Sequence, residues 1–154
     1  MKRTQFIANR LREVLLNGTW IANTNYKDQI LSLTWKHAIG KVENLNTIAA
    51  LTFHINYYLK GLLQVLNGGE LTISDKYSFD MPEIKSEEDW NDLVNDFVKN
   101  AEAFASKVEQ IDDALLDQPF VNEKYGTYSR NIEGVIEHSY YHLGQISLIK
   151  KIIL

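Results

Sequence analysis

Apolar residues recur at helical spacing in four long stretches of the chain. Phe6, Ile7, Leu11, Val14 and Leu15 share one face of a segment running from about Lys2 to Asn17, with Gly18 read as a left-handed helix stop. Ile48, Leu51, Ile55, Leu59, Leu62 and Leu66 form a broader stripe on a second segment. It starts near Thr47 with Asn46 as N-cap and ends at Asn67-Gly68-Gly69. Ser86-Glu87-Glu88-Asp89 resembles a capping box and opens a third helix, buried through Trp90, Leu93, Val94, Phe97, Ala101, Phe104, Val108 and Ile111. A fourth runs from about Ser129 to the C-terminus on Ile132, Val135, Ile136, Leu143, Ile146 and Ile149. The pattern predicts an all-α fold, a four-helix bundle, in one domain spanning 1–154.

The connections are less regular. Residues 18–45 are long for a bundle and carry short helical signals, Tyr26 to Leu33 and a turn from Thr34 through Ala38. Residues 70–85 read as an extended loop containing Pro82, with a weak strand-like alternation at Glu70-Leu71-Thr72-Ile73. Residues 112–127 form a third connection, turned at Pro119 and Gly126.

Composition narrows the class. With 45% hydrophobic and 23% charged residues, the 154-residue chain has ordinary globular composition. A formal net charge of -4 supplies no basic stripe for nucleic acid. No stretch reaches the ~20 apolar residues of a membrane span. The N-terminal MKRTQFIANR has no apolar signal-peptide core, and cysteine is absent, so a cytoplasmic protein without disulfides, cysteine-metal sites or cysteine nucleophiles is expected.

Four histidines remain as candidate chemistry. His138 and His142 are four residues apart on the fourth helix, about 40° apart around its axis and about 6 Å along it. Both imidazoles can therefore converge on one ion. They border an apolar face, where unpaired imidazole nitrogens are costly. His54 lies between aliphatic rows of the second helix, which can face the fourth across a bundle core. Three protein ligands would leave open positions on the ion, as in catalytic rather than structural zinc. Each part alone has a plainer reading: a solvated HxxxH face, or a core histidine. His37, beside Lys36 in the first connection, reads as a bystander.

Leu51-Thr52-Phe53-His54-Ile55 and Glu137-His138-Ser139-Tyr140-Tyr141-His142-Leu143-Gly144-Gln145-Ile146 together make the chain resemble the DinB-like superfamily (the YfiT-like four-helix-bundle metalloproteins). The resemblance covers nearly the whole chain. It implies an antiparallel bundle with an unusual helix order and a divalent metal ion, often nickel or zinc, held by His54, His138 and His142. Homodimers are frequent in the family. Relatives include transferases of low-molecular-weight thiols, an isomerase and hydrolase-like members, and no residue here picks among them.

The neighbouring groups add little to that choice. Glu133 and Glu137 point off the ligand direction and read as salt-bridging surface residues, so no catalytic residue is assigned. Tyr58, one turn after His54, can reach the metal pocket or simply pack. Gln145 can orient a histidine or be exposed. Gly134 and Gly144 fit close approach of a backbone or, for Gly134, space for a ligand above His138. Three functions stay open: a metal-dependent transferase or hydrolase of a small molecule, a non-catalytic metal-binding bundle, and a helical interaction protein whose histidines are incidental.

Overall fold

The computed structural model describes residues 1–154. It is all-helical, with α1 (Arg3–Arg12), α2 (Tyr26–Leu31), α3 (Trp35–Ala38), α4 (Ile48–Leu66), α5 (Glu87–Gln110) and α6 (Tyr128–Ile153). α1 continues as a π-helical segment, Glu13–Asn17. α1 and α4 each pack on both α5 and α6 around one apolar cluster. No helix is long and apolar enough to cross a membrane.

Local chemistry sets the helix starts. The side chains of Thr47, Ser86 and Thr127 accept from the N–H groups of Ala50, Asp89 and Arg130 at the heads of α4, α5 and α6. Each bond satisfies a donor that has no partner within its helix. The α4 cap is therefore Thr47 and not Asn46: the hydroxyl oxygen reaches the third amide, 3.1 Å away. In the α5 box, Asp89 accepts instead from the Lys85 N–H at 2.8 Å.

Gly18 also departs from expectation. Its φ of -95° and ψ of 158° are extended, not left-handed. Glycine is needed there for space, because a Cβ would lie 2.3 Å from Glu13 Cγ and 2.6 Å from Glu13 Cα. Phe6, expected on the core stripe, is exposed, while Thr4 and Ala8 are buried beside Ile7 and Leu11. The Glu70–Ile73 alternation makes no strand; a 3₁₀ turn, Asp75–Tyr77, follows it.

Two connections are held by specific contacts. Trp90, 1% exposed, donates its indole N–H to the Leu33 carbonyl at 3.0 Å and ties the first connection to α5. Lys150 of α6 binds the same segment through the Gln29 carbonyl (3.0 Å) and the Ser32 hydroxyl (2.8 Å). The loop after α4 turns at Gly68, φ 89°. It then folds back because Gly61 leaves room for Ile73, whose Cγ2 would lie 2.5 Å from any Cβ there. The Tyr57 hydroxyl fixes Ser74 by donating to its carbonyl (3.0 Å) and accepting from its N–H (2.9 Å). These contacts carry residues 75–79 over the side of α4 that holds His54.

Candidate metal centre

α4 delivers His54 and α6 delivers His138 and His142, one turn apart. The helices meet so that the three imidazoles face one point. His138 Nε2 lies 3.1 Å from His54 Nε2 and 2.9 Å from His142 Nε2. One nitrogen from each ring falls within a 4.8 Å group. His37 lies elsewhere, its Nδ1 3.1 Å from the hydroxyl of its own helix cap, Thr34.

The far sides of two rings determine which way their lone pairs point. His54 Nδ1 is 3.2 Å from the Ser78 carbonyl oxygen, an acceptor only, so the proton sits on Nδ1 and the Nε2 lone pair points inward. His142 Nδ1–H donates to Gln145 Oε1 at 2.6 Å, with the same result. His138 has one ring proton to give and can pair with only one of those two lone pairs. A divalent cation accepts all three. At metal–nitrogen distances of about 2.0–2.1 Å, adjacent ligand nitrogens sit about 2.9 Å apart in octahedral and about 3.4 Å in tetrahedral geometry. Both pairs that His138 makes fall in that range, and the His54–His142 pair lies within 4.8 Å. The donor set and its outer hydrogen bonds thus fit a metal ion.

Gln145 is consequently an orienting side chain rather than a bare surface one. Its replacement by alanine is expected to weaken divalent-metal binding by about 10- to 100-fold. Competition titration against a chromophoric chelator measures the loss. Unchanged affinity would show that His142 needs no such support.

Residues from the 70–85 loop close the site in a way the sequence did not signal. Phe79 stacks on His54, ring centroids 4.0 Å apart and planes 10° from parallel. Tyr58 stands edge-on to His54 and His138, centroids 5.1 and 5.4 Å away. Its hydroxyl donates to Asp75 Oδ1 at 2.8 Å. Its position one turn beyond His54 makes Tyr58 legible in the sequence as a neighbour of the pocket. Asp75, Ser78 and Phe79 lie in a segment without periodicity, where no spacing rule applies. Glu133 and Glu137 pair with Arg10 (3.2 Å) and Arg130 (2.9 Å), as surface residues do.

His54 and His142 are buried, while His138 is half-buried and lines a cavity of about 650 Å³. The accessible side of the cluster is therefore at His138. Gly134, one turn earlier, lines the same cavity; a Cβ there would meet nothing within 4 Å, and neither would one at Gly144. Close backbone approach explains neither glycine. A cavity of about 680 Å³ between α4 and α5 is lined by no histidine.

Burial lowers the pKa of both His54 and His138. At His54 the Ser78 hydrogen bond opposes the shift. At His138 the neighbouring His142 and His54 reinforce it, and the value falls from 6.5 to about 4. Folding therefore favours the neutral rings. That stability is fully present above the unfolded value of 6.5 and is lost as pH falls through about 4. Metal-free protein is expected to lose resistance to urea between pH 7 and 4.5, with a flatter profile in His138→Gln. Asp89, Asp113 and Asp117 titrate below 3.8, outside this window. Equal profiles for the two proteins would remove His138 as the cause.

The model of the DinB superfamily matches residues 31–146, and the chain belongs to that superfamily. The matched span contains all three clustered histidines. Comparison with curated proteins and with solved structures returns no match.

Proposed function

We propose that the chain is a metal-dependent enzyme of the DinB superfamily, with His54, His138 and His142 as ligands of a divalent ion, nickel or zinc. The reaction is thiol transfer to, or hydrolysis of, a small molecule. The observation that carries this reading is the inward pair of Nε2 lone pairs, fixed by Ser78 and Gln145, beside a third imidazole that opens onto a cavity. A purely structural ion would not need that cavity. The reading includes the antiparallel bundle of the superfamily, a homodimer and a cytoplasmic setting.

When bound, the ion supplies Lewis acidity and activates a nucleophile at neutral pH. The protein's own groups do the rest. Ser78 and Gln145 hold two imidazoles in the ligating tautomer. Phe79 covers one face of His54 and keeps water from that side. Burial pushes the Tyr58 pKa up, so its hydroxyl stays protonated and donates to Asp75. Asp75 thereby holds the tyrosine against the histidine rings.

The test is metal content and activity together. Untagged wild-type protein is expected to carry stoichiometric divalent metal and to act in a thiol-conjugation or esterase panel, and His138→Ala to lose both. Activity that survives loss of the metal would sink the enzyme reading. Equally low metal in both proteins would sink the centre itself.

A further inference from the structure

Arg130, Gly134, His138 and His142 are spaced by four residues and share one face of α6. The first three line the 650 Å³ cavity. From Arg130 to His138 the helix rises about 12 Å. Midway, the floor is bare backbone at Gly134, open above. The cavity lining includes five apolar side chains, Leu62, Leu71, Ile73, Phe120 and Val135, alongside the polar Ser74, Tyr125 and Asn131.

The charges in this cavity are separated. Asp75, bound to Tyr58, stands at the histidine end. Arg130 stands at the other. One of its N–H groups goes to Glu137 at 2.9 Å, and the guanidinium makes no other hydrogen bond to the protein. A guanidinium has five N–H donors in a fork that matches a carboxylate. Glu137 pairs with this guanidinium, and Glu133 lies near enough to act on its charge. The remaining N–H donors, rather than a net positive field, therefore favour an anionic group. A neutral apolar tail would strip water from those donors without replacing it.

The geometry points to a substrate class, given the metal-centre reading above: an elongated organic anion. Its anionic group binds Arg130, a short apolar body lies over Gly134, and its reactive group reaches the three-histidine cluster.

Two arms test this. In metal-free protein, calorimetric titration compares hexanoate with 1-hexanol. Wild type is expected to bind hexanoate about tenfold more tightly, and Arg130→Gln to lose the preference while its circular dichroism and melting temperature stay unchanged. Equal affinities in wild type, or a preference that persists in Arg130→Gln, would overturn the proposal. In cobalt-loaded protein, visible absorption compares 6-mercaptohexanoate with mercaptoethanol. The longer thiol acid is expected to bind about tenfold more tightly, again only with Arg130 present. No advantage for it would mean that the two ends of the cavity do not serve one ligand, and the proposal falls. If the protein takes up no cobalt, the metal centre fails, and the hexanoate arm alone decides the anion site.

Discussion

His138→Ala is expected to lower divalent-metal affinity by roughly 10²- to 10³-fold. Three-histidine sites lack the redundancy of larger ligand sets. Spread over four ligands, the ~10–16 kcal/mol of zinc binding in small metal domains gives about 2.5–4 kcal/mol for each. His138 is also the ring that stands between the other two, with its Nε2 near both of theirs. Its loss leaves His54 and His142 aimed at a point that no third donor completes. Titration with a competing chelator reads the affinity directly. A loss below tenfold would mean that His138 is not a ligand.

Trp90→Ala is expected to destabilise the fold by about 3–5 kcal/mol, the range for deleting a large buried aromatic. Trp90 is 1% exposed and sits within the core cluster. Truncation also strands the buried Leu33 carbonyl, which loses the indole donor 3.0 Å away. Urea denaturation of metal-free protein at neutral pH measures the change. A loss under 1 kcal/mol would mean that the surrounding side chains collapse into the space.

Much of this molecule is written in its periodicity. The stripes around Leu51 and Leu59, Phe97 and Phe104, and Ile132 and Ile146 each placed a helix, because burying one face repeats every three to four residues. The same regularity makes His138 and His142 neighbours on one side of α6. His54 joined them by facing α6 across the core. What could not be read was held by contacts without a period. Gly18 resembled a left-handed stop, but its constraint is a clash with Glu13. Asn46 is the cap the sequence suggests for α4, and the structure places the cap one residue later, at Thr47. The Ser78 carbonyl belongs to the main chain and has no residue-type signature. Asp75 depends on a loop seated by Gly61 and Ile73, and neither residue advertises the other.

The supports of His54 and His142 differ in how they can be lost. Gln145 holds His142 by a side chain, so a single base change can release it. Ser78 holds His54 by its backbone, which every amino acid possesses. Substitution at position 78 leaves that acceptor in the chain. A one-residue insertion or deletion between Gly69 and Ser78 would move it along α4. One support therefore tolerates replacement but not a change of loop length, and the other tolerates a change of loop length but not replacement.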